Sequence, residues 1–82
     1  MKGNKYHVQF FDPHILLVIN TNGKIRQLHT PIKVQCIEDV GMYKKGVYVY
    51  VDEIAKGFCD ELIYHIGEAA YYHKHFRLVA NF

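Results

Sequence analysis

The sequence predicts an all-β domain. Three observations carry that prediction. Apolar residues recur with a period of two along most of the chain, as in half-buried strands. The apolar runs are rich in Val, Ile, Tyr and Phe, side chains that suit a pleated surface. Pro13, Asn22-Gly23, Pro31 and Gly46 cut the runs into strand-length pieces.

The elements follow in order. "YHVQFF" places Tyr6, Val8 and Phe10 on one face and His7, Gln9 and Phe11 on the other. Pro13 in "DPH" ends the run, because it has no N–H to give a ladder. "ILLVIN" is almost wholly apolar and reads as a strand buried on both faces. Asn22-Gly23 tolerates the positive φ of a tight turn, so a hairpin into "KIRQLH" is expected. His29-Thr30-Pro31 is the next break and divides one domain into an N-terminal strand extension (1–31) and a main unit (32–79). In "PIKVQCIEDVG", Val34 and Cys36 alternate and Ile37 falls out of phase, which points to a bulge. "MYKKG" is a turn. "GVYVYVDEI" sets Val47, Val49 and Val51 on one face and Tyr48 and Tyr50 on the other; such a strand is either central or carries an exposed tyrosine pair.

Residues 52–70 carry two competing signals. Ile54, Ala55, Phe58, Cys59, Leu62, Ile63, Ile66, Ala69 and Ala70 recur every three or four positions, and Asp52 is a fitting cap for a helix. Gly57 and Gly67 oppose it, each costing a helix about 1 kcal/mol relative to Ala. "LIYHI" is strand-like and "IGEA" turn-like, so strand–turn–strand is the favoured reading.

Length and composition bound the function. The 82 residues suffice for one domain, half of them are hydrophobic, and the formal net charge is only +2. That charge alone does not imply a nucleic-acid partner. Six histidines would add positive charge below about pH 6. Cys36 and Cys59 lack CxxC spacing and read as free thiols rather than a bridge. "ILLVI" is far shorter than the ~20 apolar residues of a membrane span. With no signal peptide read at the start, a soluble, cytoplasmic protein with no membrane partner is expected.

Chemistry is sparse. His73 and His75 would share one side of a strand and form a ligand pair, with Cys59, Asp60, Glu61 or His65 to complete a site. None stands at a recognised metal spacing, and both histidines read better as surface residues beside a turn. The chain contains no serine, which removes serine hydrolases. Cys59 lies beside Asp60, an acidic setting that disfavours the thiolate. Glu38/Asp39, Asp52/Glu53 and Asp60/Glu61 are adjacent pairs, and neighbours on a strand face opposite ways. Phosphate-cradling glycine loops are missing. Neither enzyme activity, cofactor nor metal is expected.

"IKVQCIEDV", "KKGVYVYV", "LIYHIGEAAYY" and "HFRLV", in that order, resemble the small SH3-like β-barrel proteins of bacterial and phage genomes. The resemblance covers Ile32 to Val79; the first 31 residues have no place in it and would add strands to the barrel or pack across it. It implies a barrel of five strands and a general binding role. It also implies that "HKH" forms a one-turn 3₁₀ helix, with Phe76 and Leu78 returning to the core.

The expected binding residues are Tyr48, Tyr50, Tyr71 and Tyr72 for apolar contact and Lys44, Lys45, Lys74 and Arg77 for orientation. Aromatic and Arg side chains are enriched at protein interfaces, so a protein partner is the first reading. The setting that the resemblance implies is an accessory or regulatory factor of a bacterium or phage. Single-stranded nucleic acid or RNA, stacked on the same rings, is the alternative. A homodimer is the mildest form of association, since a small domain gains stability by pairing.

Overall fold

The computed structural model describes residues 7–79. All its regular elements are strands except one 3₁₀ turn. The strands are β1 (His7–Asp12), β2 (Ile15–Ile19), β3 (Ile25–His29), β4 (Ile32–Cys36), β5 (Tyr48–Val51), β6 (Glu53–Lys56), β7 (Leu62–Ile66), β8 (Ala69–Tyr72) and β9 (Phe76–Leu78). They form three antiparallel sheets of three strands, ordered β1-β2-β3, β5-β4-β9 and β6-β7-β8. None of the three closes on itself into a barrel.

The first sheet is a meander. Between β2 and β3 the Asn20 side chain accepts hydrogen bonds from the N–H groups of Asn22 and Lys24 at 2.9 and 3.0 Å. Gly23 takes a φ of +83° there, which glycine adopts freely. At the other end, Phe11 is an extra residue between Phe10, opposite Leu16, and Asp12, opposite Ile15. This is a bulge in β1. A second lies opposite Cys36, whose N–H donates to the Val47 carbonyl while its carbonyl accepts from the Gly46 N–H, with Gly46 at a φ of +93°, so the extra residue expected at Ile37 is on the facing strand. β4 ends at Cys36, and the Ile37 N–H extends the β4–β9 register by one position, donating to the His75 carbonyl at 3.0 Å. Tyr6, expected on the face of Val8 and Phe10, lies outside the described residues.

The second and third sheets are joined end to end, with only Asp52 between β5 and β6. The Asp52 N–H donates to the His65 carbonyl at 2.8 Å, and its carboxylate accepts from the Gly67 N–H at 3.0 Å. One acidic side chain thus ties the β5–β6 corner to the β7–β8 turn. Residues 53–72 are three strands and contain no helix. The period of three and four misleads because Phe58 and Cys59 stand outside on the β6–β7 turn while Ile54, Leu62, Tyr64 and Ile66 point inward.

A single core joins all three sheets. Leu16 and Val18 come from the first, Val34, Cys36, Val49, Val51, Phe76 and Leu78 from the second, and Ile54, Leu62, Tyr64 and Ile66 from the third. The expectation that β2 is buried on both faces is half met. Leu16 and Val18 are fully buried, but Ile15, Leu17 and Ile19 are only half-buried. The first sheet is also stitched to the third by the Ile54 N–H, which donates to the Pro13 carbonyl at 2.8 Å.

Leu16→Ala tests whether the core is one unit. Truncation of a fully buried leucine costs about 2–5 kcal/mol. Chemical denaturation should show that loss in one cooperative transition. A second transition, unaffected by the substitution, would show that β1–β3 unfolds separately.

Candidate functional site

The outer face of the second sheet gathers the most distinctive side chains. Val49 and Val51 point into the core, so strand alternation turns Tyr48 and Tyr50 outward, where they are 52% and 54% exposed. Opposite them on β4 stand Gln35 and Lys33. Gln35 in turn faces Arg77 on β9. The result is a small grid of two rings, two cations and one amide on a rigid backbone.

The grid is internally braced. Lys33 Nζ sits 4.7 Å from the Tyr48 ring centroid, a diagonal cation–π contact worth about 0.5–1 kcal/mol at an exposed site. The Arg77 guanidinium donates to Gln35 Oε1, and Gln35 Nε2 donates to the Gly46 carbonyl at 3.1 Å. Through Gln35 the arginine is thus coupled to the turn that carries Lys44 and Lys45. Both lysines are exposed. The Lys45 N–H donates to Asp39 Oδ1 at 2.8 Å, and the Val47 N–H to the Lys44 carbonyl at 3.1 Å. Val47, expected on the same face as Val49, falls at the end of this turn and is exposed.

The other three expected contact residues lie elsewhere, Tyr71 and Tyr72 on β8 and Lys74 in the turn after it. Tyr72 is 51% exposed on β8 and flanks two shallow depressions. One, of about 370 Å³, is shared with Cys59, Glu61, His73 and Lys74. The other, of about 330 Å³, is lined by Ile63, Ala70, Tyr71 and His75. Tyr71 is not a free ring. It is half-buried, 6.0 Å from both the Phe76 and the Tyr43 ring centroids, and its hydroxyl lies 3.0 Å from where a Cβ at Gly41 would be. Gly41 is thus the residue that lets this ring seat itself.

The two histidines in "HKH" occupy a 3₁₀ turn, His73–His75, with Phe76 and Leu78 returning to the core behind it. They have separate partners: His73 meets the Tyr64 ring edge-on and His75 pairs with the Glu38 carboxylate. Among the described residues, no group of three or more His, Cys, Asp or Glu side chains is arranged to hold a metal ion. No helix there is long and apolar enough to cross a membrane.

Sequence reasoning overlooked Lys33 and Gln35, the centre of the grid. Their signal was present, because in "IKVQC" the polar residues alternate with buried Ile32, Val34 and Cys36. It also overlooked Met42 and Phe58, both strongly exposed at turns. The Phe58 signal was its place next to Gly57, masked by the competing helical period.

Burial shifts two titrating groups. The Cys36 thiol is pushed up by desolvation and, secondarily, by the charge of Asp39. The Tyr64 phenol is pushed well above its ordinary range by desolvation. No family model, curated protein or solved structure matches this chain.

Two predictions follow from this burial. Both thiols are free, Cys36 buried and Cys59 exposed. A thiol reagent at neutral pH should therefore modify one cysteine rapidly, and mass mapping should place the label on Cys59. Cys36 should react only on unfolding. The Tyr64 phenol keeps its proton in the folded state at a pH where the unfolded chain, titrating near pH ~10, has lost it. The stability this confers is complete below that pH and declines as pH rises through the window above it. Melting curves should show a falling midpoint from about pH 10 upward, and Tyr64→Phe should flatten that fall.

Proposed function

We propose that this chain is a non-catalytic protein-binding module, an accessory or regulatory factor of bacterial or phage origin. We further propose that residues 32–79 form an SH3-like barrel to which β1–β3 adds a sheet. Four features support the barrel reading: β5 runs into β6 across a single residue, β6-β7-β8 is a meander, a 3₁₀ turn precedes the last strand, and β9 returns to pair with β4.

The binding reading rests on one observation: Tyr48 and Tyr50 project side by side from a strand whose alternate residues are locked in the core. Rings presented this way lose little freedom on binding, which is what makes tyrosine an effective interface anchor. Lys33 and Arg77 flank them, and no Asp or Glu belongs to the three strands of this sheet. The partner that fits is a protein segment offering carboxylates beside an apolar or aromatic side chain. Tyr72 and Lys74 serve as a separate, peripheral contact.

A second reading draws on the same grid. Two stacking platforms beside Lys33, Arg77, Lys44 and Lys45 also suit a short single strand of RNA or DNA, in which each stacked base contributes about 1–3 kcal/mol.

The Tyr48→Ala, Tyr50→Ala double variant tests the grid on which both readings rest. It should fold, since both rings are largely exposed. Pull-down from native cell lysate should recover a protein with the wild-type chain and lose it with the variant, the affinity falling by tenfold or more as at interface hot spots. A random oligonucleotide titrated at low and moderate salt probes the second reading. Binding that weakens steeply with salt supports it, and no binding at low salt removes it. A variant that unfolds, or that retains the partner, would sink the tyrosine site.

A further inference from the structure

The outer face of the first sheet carries a separate signal. β2 has the composition of a strand covered on both sides, yet the described residues cover only one of them. Leu16 and Val18 fill the core, while Ile15, Leu17 and Ile19 form a half-buried stripe down the middle of the opposite face. Phe11, at 58% exposure on the bulge of β1, and Ile25, at 61% on β3, extend the stripe to both edges. We propose that this face is covered by the same face of a second copy of the chain, forming a symmetric dimer.

The cross-strand register argues for a second copy. The rows across this face are His7–Ile19–Ile25, Gln9–Leu17–Gln27 and Asp12–Ile15–His29. Leu17 lies at the centre. A two-fold axis between two such faces, passing at Leu17, stacks Leu17 on Leu17. Run along the strands, it sets Gln9 against Gln27 and Asp12 against His29. Run across the strands, it sets each glutamine against its own counterpart and Asp12 against His7. Either way the central Ile15–Leu17–Ile19 stripes coincide, Ile25 meets a histidine ring, the glutamines meet groups they can hydrogen-bond, and the single carboxylate of the rows meets an imidazole. Lys and Arg are absent from all three rows, so no strong like-charge pair opposes the contact. Aligned sheets pack face to face in this manner about 10 Å apart.

The size of the face sets the strength. Strands of five residues run about 17 Å, and three of them span about 10–14 Å. Two such faces bury less than the roughly 1,600 Å² of a standard interface. The dimer is therefore weak and depends on concentration. It is independent of the tyrosine grid, which lies on another sheet.

Sedimentation equilibrium of the full chain from about 5 to about 500 µM, a range chosen for weak association, tests the proposal. The apparent mass should climb from 9.6 kDa toward twice that value. Leu17→Lys would set two ammonium groups face to face on the axis and should hold the chain monomeric across the range. Ile25→Lys, at a more exposed position, should shift the transition at least tenfold in concentration without affecting folding, and it decides the matter if Leu17→Lys proves unstable. Tyr48→Ala, Tyr50→Ala should dimerise as the wild type does. A constant monomer mass, lysine variants that dimerise normally, or a tyrosine variant that alone abolishes the dimer would each overturn the proposal.

Discussion

Everything else in this molecule depends on one shared core. A three-stranded sheet of three to six residues per strand has little stability unless its apolar face is covered, and the described residues form three of them. Each supplies one apolar face. Leu16 from the first, Val34 and Val51 from the second and Ile54 from the third are all essentially inaccessible to solvent. Burial of that common set is what offsets the entropy of ordering so short a chain. The backbone link from Ile54 to Pro13 and the Asp52 contacts to His65 and Gly67 then fix how the sheets meet.

The same constraint creates the two candidate surfaces. With one side of each strand committed to the core, the other side is held rigidly toward solvent. On β5 this yields two tyrosines at fixed spacing, backed by Lys33, Gln35 and Arg77 from neighbouring strands. On β2 it yields an apolar stripe with no cover from the other described residues. The two surfaces differ in character, the one aromatic and cationic, the other apolar with neutral amides. That contrast suits two different occupants better than one.

Much of this was legible in the residues. Alternation in "YVYV" set the tyrosines apart from the valines, and Asn22-Gly23 marked the first-sheet turn. The clearest misreading concerned Tyr71. In sequence it is one of an adjacent pair, but adjacency on a strand means opposite faces, so Tyr72 turns out and Tyr71 packs on Phe76 and Tyr43. Ile37 looked like a bulge because its phase changes, whereas the extra residue there is Gly46 on the facing strand, opposite Cys36, and another is Phe11, beside a proline break. Residues 52–70 satisfied a strand period and a helix period at once; Gly57 and Gly67 already favoured strands, and the positions of Phe58 and Cys59 outside the core show why the helical period misled.

What the sequence determined by itself was local: which runs extend, where glycine and proline interrupt them, and which side chains alternate, since all of these arise from neighbours along the backbone. Only the tertiary structure decided which alternate set faces inward and which residues of distant strands become neighbours. Lys33 over Tyr48, and Gln35 between Arg77 and Gly46, are contacts between strands that the sequence separates by 11 to 42 residues. No local preference encodes them, because strand register is settled by the packing of the shared core.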